Sequence, residues 1–173
     1  MKNAIISYLG ENKPNLITSI TTLLTESGGQ FSGVTFATLG RGCELTMVYN
    51  YPENHSIQKI KEDLDHLESC KNGEFNVKPF ELNTEAGPTT KITHRIILSG
   101  EDQSGLLHKI ITTLDNNSAV IVRMNTEKIT FPENTQYIAR FAIAVREENA
   151  PKCLSEIVKV AGQMKLTFRY ETS

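Results

Sequence analysis

Two short stretches of the chain bring together residue types that can hold a small anion. Gly10-Glu11-Asn12-Lys13-Pro14-Asn15-Leu16-Ile17 and Gly100-Glu101-Asp102-Gln103-Ser104-Gly105-Leu106-Leu107 each set turn-forming and polar residues directly ahead of an aliphatic pair. If such a stretch opens a helix, the first backbone N–H groups lack intrahelical partners and the helix dipole is positive, so a carboxylate is well received there. An amino acid supplies that carboxylate. Its ammonium then needs an acceptor, and the side-chain oxygen of Asn12 or Asp102 stands just before the helix where it could serve. The same two residues are equally suited to be plain helix N-caps. Gly105 permits close approach to the backbone, and Asn15, in the matching position, adopts left-handed angles more readily than most residues.

Other chemistries find less support. His55 and His66 are 11 residues apart with no Cys or carboxylate at metal spacing, and read as helix-surface residues. His94 alternates along a strand, while His108 follows the second loop and is the one histidine placed to reach a cleft. No Ser/His/Asp spacing, phosphate-cradling glycine loop or zincin pattern is present, so neither catalysis nor a metal or other cofactor is expected. Cys43, Cys70 and Cys153 are odd in number and widely spaced, which fits reduced structural thiols.

The elements that must position the two loops are themselves duplicated. A shift of 90 positions lays Gly10 on Gly100, Glu11 on Glu101, Leu16 on Leu106, Ile20 on Ile110 and Leu24 on Leu114. In the first copy, Ala4 to Leu9 reads as a buried strand. Leu16, Ile17, Ile20, Leu23 and Leu24 recur with helical period until Gly28-Gly29 ends the run. Strands over about 30–39 and 43–51 flank Gly40-Arg41-Gly42, a hairpin turn. Ile57, Ile60, Leu64 and Leu67 mark a second helix, and Phe75, Val77 and Phe80 a closing strand in which Pro79 suits an end or edge.

The second copy repeats the order with strands near 92–99, 119–129 and 137–145 and the helix of Leu106, Leu107, Ile110, Ile111 and Leu114. A helix with Leu154, Ile157, Val158 and Ala161 on one face follows Pro151, and a last strand turns Leu166, Phe168 and Tyr170 inward. The expected fold is therefore α+β: two tandem ferredoxin-like βαββαβ domains, each an antiparallel sheet with helices on one face. The domains are placed at 1–82 and 92–173, with 83–91, small and polar with Gly87 and Pro88, as linker.

Composition excludes several classes. With 39% hydrophobic and 22% charged residues the chain is an ordinary globular sequence, and no apolar run approaches the roughly 20 residues that span a bilayer. A net charge of −2 with interspersed Lys and Arg gives no electrostatic footprint for direct nucleic-acid binding. Phe31, Phe36, Tyr49 and Tyr51 raise base stacking on a ferredoxin-like sheet as a minor alternative, without the aromatic signature of RNA-recognition modules. The expected compartment is the cytoplasm.

The two loops resemble the strand–helix loop of the ACT domain, in which Asn or Asp, any residue, Pro and Gly precede two aliphatics. The order of two such modules, with the segment from Gly33 to Thr38-Leu39-Gly40, is similar to the glycine cleavage system transcriptional repressor family. That resemblance implies a small amino acid as ligand, glycine in particular, and a protein partner such as a DNA-binding transcription regulator. It also leaves self-association into a homo-oligomer open. It places ligand-binding residues at Asn12, Asn15, Leu16 and Ile17, with Gln30 at the start of the second strand acting across a domain interface, and at Asp102, Gly105, Leu106 and Leu107. Copy one has Asn15 where the pattern favours Gly, and copy two has Ser104 where it favours Pro and Val120 opposite Gln30, so the two sites are expected to be unequal. The competing reading is a ligand-free protein-interaction module.

Overall fold

The computed structural model describes residues 1–82 and 91–173. They form two compact units, one in each stretch. The expected linker, all but Lys91 of it, lies outside the described residues.

Unit 1 runs β1 (Lys2–Glu11), α1 (Leu16–Glu26), β2 (Gln30–Leu39), β3 (Gly42–Tyr51), α2 (Ile57–Asp65), a 3-10 turn (Glu68–Cys70) and β4 (Glu74–Pro79). Its sheet has the order β2-β3-β1-β4, antiparallel throughout. Unit 2 runs β5 (His94–Glu101), α3 (Leu106–Asn116), β6 (Val120–Thr130), β7 (Thr135–Ala144), α4 (Ala150–Gln163) and β8 (Thr167–Thr172), with the order β6-β7-β5-β8. Both units are ferredoxin-like βαββαβ domains.

Period-two burial explains the sheets. On β1 Ala4, Ile6 and Tyr8 are buried, and on β3 Cys43, Leu45, Met47, Tyr49 and Tyr51; their neighbours face the other way. Leu16, Ile20 and Leu24 close this core from α1, as Leu106, Ile110 and Leu114 do from α3. Each such aliphatic contributes about 1.5–3 kcal/mol on burial.

The duplication extends to irregularities. A β-bulge falls between Phe31 and Gly33 in one unit and between Ile121 and Arg123 in the other, 90 residues on. Both first helices end in a Schellman motif. Gly28 and Gly29 donate to the carbonyls of Thr25 and Leu24, and Ser118 and Ala119 to those of Asp115 and Leu114.

Several sequence expectations need correction. Val158 is exposed, and α4 instead buries Ala150, Cys153, Ile157 and Ala161, because a stripe at that spacing faces the sheet. Tyr170 is 52% exposed: it has the inward parity on β8, but β8 is the edge strand of its sheet. Leu67 lies beyond α2 and Phe80 beyond β4. The strand begun at Ile92 starts instead at His94.

Candidate functional site

Each β–α loop is pinned at two points by the sheet end it crosses. In unit 1 the Asn12 N–H donates to Arg41 O, on the β2–β3 turn, at 3.4 Å, and Lys13 Nζ donates to Lys71 O at 2.7 Å. In unit 2 the Asp102 N–H donates to Thr135 O at 3.0 Å, and Gln103 Nε2 to Met164 O at 2.7 Å. Different side chains thus make the same attachment.

Glycine enforces the close fit upstream. A methyl group on Gly10 would stand 2.7 Å from Gly73 Cα, and one on Gly100 would stand 2.7 Å from Leu166 Cδ2. The sequence comparison aligned these glycines, but the reason for them lies in the neighbouring turn.

After the pins, the chain enters each helix through one left-handed residue. Asn15 has φ 64° and Gly105 φ 76°, and each is the N-cap of its helix, with no side-chain cap bond. Asn12 and Asp102 are therefore not the N-caps, which overturns the plainer of the two roles considered for them. The cap carbonyls accept from Ser19 N–H at 2.8 Å and from Lys109 N–H at 3.0 Å, while Leu16 N–H reaches Lys13 O and Leu106 N–H reaches Gln103 O, both at 3.3 Å.

That leaves the N–H groups of Ile17 and Thr18 in α1, and of Leu107 and His108 in α3, without a hydrogen-bond partner among the described residues. No acidic side chain occupies the first turn of either helix, so the positive end of the dipole is uncompensated from within. The arrangement can receive a carboxylate at two adjacent N–H donors. A Cβ built on Gly105 meets nothing within 4 Å, so the space in front of it is open.

The two loops differ in charge. Asp102 Oδ2 accepts from Lys128 Nζ on β6 at 2.7 Å, and this pairing holds the Lys128 ammonium above its ordinary range. In unit 1 Asn12 is exposed and Thr38 stands where Lys128 does, so there is no corresponding ion pair. Sequence spacing gave no sign of the Asp102–Lys128 partnership, since 26 residues and a sheet edge separate the two.

Leu16 and Leu106 are buried and anchor the helices, so they offer a ligand backbone only; Ile17 is 38% exposed and Leu107 half-buried. Gln30 is exposed at the start of β2, paired with Asn50, which in turn pairs with Asn3. It therefore lies eight residues along the sheet from Glu11, roughly 25 Å from the Asn12 loop in the same unit. Within unit 1 the structure does not bring Gln30 and Asn12 together. The physical reason is that α1 runs back over the sheet and delivers β2 to its far end.

The other candidates are structural in their surroundings. His94 is buried, with Nδ1 3.0 Å from Thr93 Oγ1, and His108 is exposed on the first turn of α3. All three thiols are buried, and burial raises each above its ordinary value of 9.0. No cluster of His, Cys, Asp and Glu able to hold a metal occurs among the described residues, and no described helix is long and apolar enough to cross a membrane. Phe31, Phe36, Tyr49 and Tyr51 all lie on the helix-side parity of their strands, with Phe31 against the Tyr49 ring at 5.7 Å. None is placed to stack a base on the open sheet face. A groove of about 340 Å³ lies elsewhere, between the end of α1 and α2, lined among others by Leu23, Ser27, His55 and Lys59. It touches neither loop, and its Lys59 is already paired with Asp63 at 2.7 Å.

No protein-family model and no curated protein matches the sequence. Solved structures do. A protein of Galdieria sulphuraria described as unknown superposes with a TM-score of 0.76 at 14% identity, over 99% of this chain and 98% of that one. A "putative glycine cleavage system transcriptional repressor" superposes with a TM-score of 0.72, again at 14% identity, over 99% of this chain and 97% of that one. At this identity the likeness is one of fold, and it extends over both units.

Proposed function

We propose that the chain is an amino-acid-sensing regulatory protein, with glycine its favoured ligand, that passes its occupancy to a protein partner controlling transcription. One observation carries this reading: the same β–α loop is built twice, each time clamped to the sheet and each time opening a helix with two adjacent unpartnered N–H donors. A carboxylate takes those donors, and the ammonium of an amino acid takes the Asp102 side chain by displacing or sharing Lys128. The site in unit 2 is the stronger of the two, because it alone combines an anionic acceptor with the open space before Gly105. Glycine and the transcriptional partner are chosen from the resemblance to the repressor whose fold this chain shares. Nothing in the loops calls for catalysis or a cofactor.

The second reading, a ligand-free interaction module, draws on the same ion pair: with Lys128 in place, Asp102 is satisfied without any ligand. Calorimetric titration of the purified chain with glycine and a panel of other amino acids separates the two. A sensor gives saturable, selective binding and a raised melting temperature, since a ligand bound only to the native state stabilises it by mass action. Gly105→Val, which fills the open space, and Asp102→Ala should each weaken that binding by about tenfold or more while the protein stays folded. If no amino acid binds, or if both variants bind as the parent does, the sensing site in unit 2 is wrong.

A further inference from the structure

The two units share a topology but not an open sheet face. In unit 2 the residues that alternate with the buried set place an arginine on every strand: Arg123 on β6, Arg140 on β7, Arg95 on β5 and Arg169 on β8. Four of the six arginines of the chain stand there, and all four are exposed. They fall in two adjacent rows across the sheet, Arg123-Ala142-Arg95-Glu171 and Asn125-Arg140-Ile97-Arg169. Within each row the two arginines are two strands apart, about 10 Å.

The corresponding positions in unit 1, by pairing and by the 90-residue shift, are Gly33, Thr46, Ile5 and Asn76, none of them charged. The arginines are therefore not a demand of the fold. Nor are they consumed internally: Arg140 Nη1 donates to Glu127 Oε1 at 2.8 Å and Arg95 to Ser173 Oγ, while Arg123 and Arg169 have no ion pair among the described residues. Glu101, Glu127 and Glu171 share the face, but within the two arginine rows Glu171 is the one acid. Ile97, 38% exposed, and the half-buried Ala142 and Ile138 form an aliphatic strip among the cations.

We infer that this face docks an acidic, amphipathic segment of a protein partner, its carboxylates meeting the arginines and its aliphatic side chains meeting Ile97, Ile138 and Ala142. Guanidinium groups suit this task because they take carboxylates bidentately and are weakly hydrated. A single-stranded nucleic acid fits less well, because no strand residue of this face is aromatic and able to stack a base, and stacking is what ferredoxin-like sheets use for that purpose. The inference deepens the partner half of the proposed function and rests on that half alone, independent of whether the loops bind an amino acid.

The test uses the full chain and a fluorescein-labelled synthetic helix of about 18 residues with Glu and Leu on one face, read by anisotropy. The peptide should bind, and should bind more weakly as salt rises. Arg123→Glu with Arg169→Glu breaks no ion pair of the described residues and should cost at least about tenfold in affinity, whereas Lys78→Glu with Lys152→Glu, an equal change of charge elsewhere, should alter it less than about twofold. Arg123→Lys with Arg169→Lys, which keeps the charge but loses the bidentate fork, should bind between the parent and the Glu pair. Circular dichroism melts confirm that each variant is folded. Absence of peptide binding, equal losses in the two Glu pairs, or tighter binding of oligouridine than of the peptide would each overturn the assignment. Glycine titration of the same variants keeps this result separate from that of the sensing loops.

Discussion

A single backbone angle shows how the two copies solve one problem with different residues. At φ 76° Gly105 costs nothing, while Asn15 holds φ 64° at the matching position and relies on the tolerance of a short polar side chain for left-handed geometry. Gly105→Ala should therefore lower the stability of unit 2 by about 1–2 kcal/mol, even though its Cβ meets open space, and Gly105→Asn should cost clearly less. Urea unfolding of the two variants checks the order. Equal losses would mean that the cost comes from something other than the left-handed angle.

At the scale of elements, the helix ends carry the same lesson in the opposite direction. Gly28 occupies the left-handed position of the first Schellman motif at φ 79°, but in the second motif that position falls to Ser118 at φ 55°. Ser118→Gly should stabilise the chain by up to about 1 kcal/mol, since relief of the strained angle outweighs the added freedom of the unfolded chain. The reverse change, Gly28→Ser, should destabilise it. Thermal melts of the pair decide the matter, and a destabilising Ser118→Gly would show that the serine makes a compensating interaction. The elements also explain the misplaced residues: Val158 and Tyr170 satisfy a hydrophobic pattern, but which part of an element is covered depends on its neighbour.

For the molecule as a whole, the buried ionisable groups set a limit in alkali. Burial raises Cys43, Cys70 and Cys153 above 9.0, and Tyr8 and Tyr49 above 10.0. Between the unfolded and folded values the native chain holds protons that the unfolded chain has lost, so unfolding becomes easier as pH rises. The stabilisation is fully present below pH 9 and should diminish progressively above it. Melting temperature measured from pH 7 to pH 10.5 should be level and then fall, and the fall should begin later in a chain with all three cysteines changed to alanine. An unchanged onset in that variant would assign the fall to other groups.

The sequence by itself determined the repeat, the strand and helix order of both modules, most of the core and the two loops. Those features are local or periodic: a glycine at a helix end, an aliphatic stripe and a 90-residue shift can all be read along the chain. Only the tertiary structure decided what those loops can touch. It put Lys128 on Asp102, moved the helix cap from Asn12 and Asp102 to Asn15 and Gly105, and sent Gln30 to the far end of its sheet. It also gathered four arginines, from Arg95 to Arg169 along the chain, onto one face of one sheet. The caps follow from the left-handed angles of Asn15 and Gly105 and the place of Gln30 from the course of α1, while antiparallel pairing is the physical reason for the ion pair and the arginines. Strand register brings residues distant in sequence to within a few ångströms, and a pattern read along one strand carries no information about which strand lies beside it.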